Sequence, residues 1–232
     1  MKGKRVLALL IAGAGTAAAL VGTPSANAAP AAFVSTVPMS STISAQSYNL
    51  IAVGGLVNIP PVESANCGAG QSVDVSAPTI SIPNLATVNA VAATCAMSGP
   101  LNENVNPQST ASAAKVSLLG GKIVLTGVRT QCFSNPQGFV TAESTVATVN
   151  GVKVSLGALN INIPGLAQIA LDQNSQTPAN PSPGQNMTVR SVGVTIKVLS
   201  YTTHILGKTV TVPAQTITLD TCSIVGVAAG AD

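Results

Sequence analysis

The chain has 232 residues, of which only 7% are charged and 46% are hydrophobic, with 10 Lys+Arg against 7 Asp+Glu. So little charge excludes a basic patch for nucleic acid or a polybasic segment for anionic lipid, and so much apolar content excludes a disordered chain. Trp is absent and there is 1 His, which narrows both aromatic sugar platforms and histidine-based catalysis before any motif is considered.

Lys2, Lys4 and Arg5 precede an apolar Ala/Leu-rich run from Val6 to Gly22, and Ala26-Asn27-Ala28 supplies an A-x-A site. That order of features is a secretory signal peptide, and the apolar run is shorter than the ~20 residues of a spanning helix. The expectation is a secreted chain whose Sec leader, residues 1–28, is cleaved after about Ala28. Three of the 10 basic residues lie in that leader, so the remaining 204 residues carry seven of each sign and the pI of 8.8 belongs to the longer chain. A mature chain of this length has ample material for a core.

Residues 29–40 are small and proline-punctuated, and read as a flexible N-terminus. Ser41 to Ile59 reads as strand material, interrupted by Gly54-Gly55 and ended by Pro60-Pro61; residues 62–72 read as a loop carrying Cys67. In Val73 to Ile82 the apolar residues change parity across Pro78. Side chains alternate with period two, so a bulge there would return the apolar side to the core and bend the strand. The same change recurs around Gly157 in Val152 to Ile163 and around Pro213 in Thr209 to Cys222. The three runs are read as strongly bent strands, each with the alternative of two short strands.

Ala86 to Cys95 is a strand, 98–112 a loop, and Ala113 to Leu119, Lys122 to Cys132 and Phe139 to Val149 are successive strands. Asn150-Gly151 between β-type residues is a hairpin signal. Residues 172–186 read as a long loop with three prolines. Val192, Val194, Ile196 and Val198 then alternate cleanly with Ser191, Gly193, Thr195 and Lys197, as in a half-buried antiparallel strand. Residues 223–232 are a Gly/Ala-rich tail. The segment Ile80 to Val88 is matched 81 residues later by Ile161 to Ile169, each carrying an Ile-x-Ile-Pro-[Asn/Gly]-Leu-Ala core; this reads as one turn solution used twice, or as the relic of a duplication. No amphipathic helix stands out beyond the leader. The fold class is all-β, an antiparallel sandwich or barrel-like single domain over 41–222 with bent, bulged strands.

Cys67, Cys95, Cys132 and Cys222 all lie beyond the leader. An even count in a secreted chain implies two disulfides, with three pairings open. No C-x-x-C spacing suggests zinc. His204, in Tyr201-Thr-Thr-His204, has no G-x-S-x-G or S-x-x-K companion and reads as an ordinary turn or edge-strand histidine. Glu63, Asp74, Glu103, Glu143, Asp172 and Asp220 form no paired-carboxylate motif of the kind glycoside hydrolysis needs. Asp172 is assigned to a turn. Asp220, beside Cys222, is the acid expected to be most sequestered, paired with a surface Lys or Arg. No calcium loop and no phosphate-cradling glycine loop occurs, so no enzyme activity, cofactor or metal is expected. Phe133 and Phe139 flank Ser134 to Gly138 and are candidates for an exposed binding tip, although the preferred reading has them closing the core beside Cys132.

A GG-initiated strand leads to Cys132, a glycine turn and an Ala/Ser/Thr strand lead to Asn150-Gly151, an N-x-x-I-P-G segment leads to L-D-Q at residues 171–173, and a Val-rich strand with a histidine precedes a final strand ending at Cys222. In these features the run from Ala113 to Cys222 resembles the actinobacterial secreted proteins of the choice-of-anchor P family. The resemblance implies a secreted or cell-surface protein without an established activity. It also implies that Cys132 and Cys222 belong to a common part and pair, leaving Cys67–Cys95, which are close in sequence, as an added bridge. The chain departs from the family's anchoring signals: it holds no LPxTG motif and no C-terminal apolar span with a basic tail.

The function expected is that of a non-enzymatic secreted structural or interaction protein of the cell envelope or extracellular space. The alternative is a binding module for a glycan or a small apolar ligand, with a hydrolase ranked third. Self-association and cell-envelope components are the partner classes that remain, because low charge guards strand edges poorly. Nucleic acid and a membrane span are not expected.

Overall fold

A computed structural model describes residues 32–49, 52–54, 63–82, 86–98, 106–154, 160–205, 208–212 and 214–230. The leader, Gly157 and Pro213 lie outside these residues. All described elements are strands. In chain order they are β1 (Phe33–Val34), β2 (Met39–Asn49), β3 (Ala52–Gly54), β4 (Glu63–Cys67), β5 (Ser72–Ile82) and β6 (Ala86–Met97). There follow β7 (Pro107–Leu118), β8 (Ile123–Ser134), β9 (Val140–Thr145), β10 (Thr148–Val149), β11 (Val152–Lys153) and β12 (Asn160–Ile163). The last are β13 (Ala167–Thr177), β14 (Asn186–Val198), β15 (Tyr201–Ile205), β16 (Lys208–Val212) and β17 (Gln215–Ala228).

Two antiparallel sheets form a sandwich with free edges, not a closed barrel. One has the order β1-β9-β8-β7-β6-β5, with β10 beside β8 and β11 beside β10; the other runs β12-β13-β14-β17-β2-β4, with β3 beside β17. β15 and β16 make a separate two-stranded ribbon. Across the interior β9 lies over β13 and β14, β8 over β14 and β17, β7 over β17 and β2, β6 over β2 and β4, and β5 over β4. The hairpin at Asn150-Gly151 is present, both residues taking positive φ (48° and 79°) between paired Val149 and Val152. The repeated Ile-Pro segment closes two hairpins in the same register, Ile82 opposite Ala86 and Ile163 opposite Ala167.

Several stretches expected as loops are strands. Glu63–Cys67 pairs with β2, residues 107–112 begin β7, and β13 continues through residues 172–177, so the loop with three prolines shrinks to 178–185. The last strand runs past Cys222 to Ala228, with Ser223 and Ile224 buried, and Phe33–Val34 pairs with β9. Ser, Thr, Asn and Gln favour turns when they can bond their own backbone. Here neighbouring strands take those backbone groups instead, and Gln176 bonds Thr36, tying the N-terminal segment to the end of β13.

The deeper departure concerns parity. In β6 the buried positions are 86 and 88, then 91, 93, 95 and 97; in β8 they are 123 and 125, then 128, 130 and 132; β7 changes at Ala114. In β14 the change falls at Gly193, and in β17 at Asp220. The Val192-to-Val198 run therefore does not alternate cleanly: Val192 faces outward while Val194, Ile196 and Val198 are buried. The breaks line up across strands. Pro78 stands opposite Ala90, Ala90 opposite Ala114, and Ala114 opposite Gly127; in the other sheet Asp172 stands opposite Gly193, and Gly193 opposite Asp220.

No residue is inserted at these breaks, since the register is the same on both sides. The expected bulge at Pro78 is thus an inversion within an unbroken register; register shifts occur instead between β17 and β2. Ala90, Gly127, Asp172 and Asp220 have φ of 50°, 60°, 50° and 46°, so each opposed pair joins one left-handed residue to one ordinary one. The other two expected bends fall on Gly157 and Pro213, outside the described residues; β11 and β12 flank the first and β16 and β17 the second.

The inversion divides the interior. On one side lies an aliphatic core of Val88, Val116, Leu118, Ile123, Leu125, Ile169, Ile196, Ile217 and their neighbours. On the other lie Ala45, Ala65, Ala93, Ala142, Met97, Met187 and all four cysteines. Both disulfides cross between the sheets: Cys67–Cys95 joins β4 to β6 and Cys132–Cys222 joins β8 to β17, with Cα–Cα distances of 6.0 and 5.7 Å. Stacked sheets ordinarily stand ~10 Å apart, so the layers are pinched at the two bridges, and alanines are prominent around them.

Between the two cores buried hydroxyls bridge the gap. Ser47 donates to the Thr94 carbonyl (2.9 Å), Ser109 to the Ser223 carbonyl (3.4 Å) and Thr130 to the Asp220 carbonyl (3.2 Å). Ser144 meets Ser191 at 2.8 Å and donates to Thr130 at 3.1 Å. Each such bond contributes a net ~1 kcal/mol, and each disulfide ~2–4 kcal/mol.

Gly193 lies where this contact is tightest: a Cβ there would collide with Thr130 Oγ1 and stand 3.2 Å from the Asp220 carbonyl. Gly193→Ala is expected to cost ~1–3 kcal/mol of overpacking, and the double variant with Thr130→Ala to cost less than the sum of the two single changes. Urea unfolding of the oxidised proteins checks this, and a neutral Gly193→Ala would contradict the close approach.

Candidate functional site

Both cysteine pairs implied by the family resemblance are present, and all four cysteines are consumed. They occupy interior positions and are structural. Among the described residues no group of three or more His, Cys, Asp or Glu is arranged to hold a metal ion, and no helix is long and apolar enough to cross a membrane. His204 lies on β15 with its backbone opposite Thr209; its side chain and Glu103 lie outside the described residues.

The acids are dispersed, with one exception. Glu63 is half-buried on β4, Asp74 is exposed on β5, and Asp220 is buried, as its place beside Cys222 suggested. Asp172 and Glu143 come together where β9 lies over β13. Asp172 accepts a bond from Asn174 Nδ2 (3.0 Å) and one from the Ser144 backbone, and its carboxyl is held above the ordinary value of 3.8. Burial is the largest cause; the two hydrogen bonds oppose it, and repulsion from Glu143 adds to it.

Phe133 and Phe139 flank a rigid hairpin turn between β8 and β9. Asn135 Oδ1 accepts the N–H groups of Gln137 and Phe139, both at 3.0 Å, and Gly138 N–H returns to the Asn135 carbonyl at 2.9 Å. Gly138 has φ of 84°, and a Cβ on it would stand 2.6 Å from the Met39 carbonyl, so β2 clamps the turn from one side. Both rings are half-buried. They do not share a site. Phe133 lines an open depression of ≈ 310 Å³ with Asn106, Pro107, Gln108, Gln131 and Ser134; Phe139 does not line it.

The depression sits on the outward side of β7 and β8, since Ser109, Cys132 and Thr130 face inward between its members. Gln108 is directly opposite Phe133, and Gln131 opposite Glu143. Gln131 Nε2 donates a short hydrogen bond to Glu143 Oε1. The register extends this row across the sheet as Asp74, Thr94, Thr110, Gln131 and Glu143. Sequence reading found Phe133 but not Asn106 and Gln108, because it placed 98–112 in a loop, nor Gln131, which it set on a strand without a partner across the sheet; the signal available was Gln108 two residues from Thr110 on a strand of alternating small residues.

No family model, no curated protein and no solved structure matches the chain.

The Asp172 carboxyl gives a test of the polar corner. An acid whose folded-state pKa is raised binds its proton more tightly in the folded chain, so its contribution to stability is full below 3.8 and is lost as pH rises through the raised value. Asp172→Asn keeps the acceptor for Asn174, tolerates the positive φ and removes that loss. The variant should gain stability relative to the parent as pH rises from 3.8 towards neutrality. Melting temperatures across that range check it, and a difference independent of pH, or one of opposite sign, would contradict it.

Proposed function

We propose that the chain is a non-enzymatic secreted β-sandwich of the cell envelope or extracellular space, acting by presenting its polar outer faces to other molecules. The observation that carries this reading is that all four cysteines are spent on bridges between the two sheets, an arrangement that suits an oxidising compartment. The leader-like residues 1–28 and the resemblance to choice-of-anchor P proteins support it. So does the face itself: between the carboxylates of Asp74 and Glu143 at its ends, the row offers the hydroxyls of Thr94 and Thr110 and the amide of Gln131 at strand spacing, a surface for hydrogen bonding.

A second reading, a glycan-binding module, is favoured by one feature, the amide-lined depression at Phe133. Expression of the full chain in a secreting actinobacterial host tests the main reading. The protein in the medium should lack residues 1–28 by intact mass and show no reactive thiol before reduction. Retention inside the cell with residues 1–28 attached, or free thiols in the exported protein, would overturn it.

A further inference from the structure

We infer that the depression beside Phe133 is a subsite for one neutral, hydroxyl-bearing sugar unit of a longer chain. The inference deepens the interaction reading and rests on it. Three of the lining side chains, Asn106, Gln108 and Gln131, are amides. An amide both donates and accepts hydrogen bonds, which matches a sugar hydroxyl, itself donor and acceptor. A phosphate or carboxylate only accepts, and none of the lining residues is a cation to attract it. Glu143, held by Gln131 at the margin, would repel it.

The site is preorganised. The bond from Gln131 Nε2 to Glu143 fixes the rotation of that amide and leaves Gln131 Oε1 as the free acceptor. Phe133 supplies an apolar wall for the C–H face of a sugar ring, at the low entropic cost of an aromatic side chain. Its position is set by the Asn135 turn and the Gly138 clamp described above. At ≈ 310 Å³ the depression is at the small end of ligand sites, which run from ~300 to 1,000 Å³, so it holds a unit and not an extended ligand. An open site with one aromatic wall binds weakly, with Kd on the order of 1 mM.

The test is a titration of the isotope-labelled exported protein with cellohexaose, maltohexaose and mannohexaose, followed by amide chemical shifts. At least one sugar should produce saturable shifts confined to Gln108, Gln131, Phe133, Ser134 and their strand neighbours. Phe133→Ala should weaken that binding at least ~10-fold. Gln108→Ala, an exposed position that leaves folding intact, should weaken it ~3- to 10-fold. Hexagalacturonate, the charged counterpart, should not shift these residues. The subsite is overturned if no sugar shifts them at about 10 mM, well above the expected Kd, if the shifts map elsewhere, or if both variants bind as the parent does. It is likewise overturned if hexagalacturonate binds equally. Release of shorter oligosaccharides from a bound sugar would overturn the non-enzymatic reading while leaving the subsite in place.

Discussion

A strand that must keep one face on a core cannot change parity without turning its apolar side chains to solvent, unless its neighbours change with it. In this sandwich the long neighbouring strands do. The breaks at Pro78, Ala90, Ala114 and Gly127 in one sheet and at Asp172, Gly193 and Asp220 in the other are opposed strand by strand with the register intact. Because the inversion is collective, every ladder bond beyond the row can form, and strands of 11 to 14 residues serve two cores in succession. A lone inversion would force one strand's side chains against the pleat of both neighbours. Alternation of left-handed and ordinary residues along the row gives each opposed pair one unusual backbone, a cost carried most easily by Gly127 and the acids Asp172 and Asp220.

The row also separates two packing regimes. On one side Val, Leu and Ile dominate the interior. On the other the disulfides hold Cα atoms of facing strands 6.0 and 5.7 Å apart, and Ala, Ser and Cys take a larger share of the interior beside Met97, Met187, Val140, Val189 and Ile224. Alanine buries little area, so this half draws less on the hydrophobic effect and more on covalent bridges and cross-sheet hydroxyl bonds. A serine at such a place must bond across the gap or cost ~1–3 kcal/mol, and Ser47, Ser109, Ser144 and Ser191 all do bond. The chain's unusual composition, rich in small and hydroxylated residues and poor in charge, is thereby the composition of a tight interior and of polar outer faces.

Much of this was legible in the chain. Short alternating runs, turn dipeptides and an even cysteine count pointed to an all-β sandwich or barrel with two disulfides, the pairing came from the family resemblance, and the Asn150-Gly151 turn was visible outright. The polar strands were not. Residues 107–112 and 172–177 read as loops because Ser, Thr, Asn and Gln favour turns only while their backbone has no better partner, and sequence does not say when a neighbouring strand will supply one. The inversion was glimpsed at Pro78, where proline marks it, and missed at Ala90, Ala114 and Asp172, whose side chains carry no such mark. At Gly193 the valines on either side concealed it, since Val192 continues the pattern while facing the other way. The candidate site was half visible for the same reason: Phe133 is conspicuous, but its amide neighbours acquire meaning only once Gln108 is set beside it on a strand.

The interaction reading depends on this architecture, because a polar outer face at fixed strand spacing exists only if the inversion keeps apolar residues inside on both halves. The most direct measurement is therefore the thermal stability of Val192→Lys against Val194→Lys in the oxidised protein. With the inversion at Gly193, Val192→Lys places its charge on the outer face and should change stability by no more than ~0.5 kcal/mol, whereas Val194→Lys buries an unpaired charge and should abolish cooperative folding. Equal collapse of both variants would mean that the strand alternates without a break, and would contradict the account.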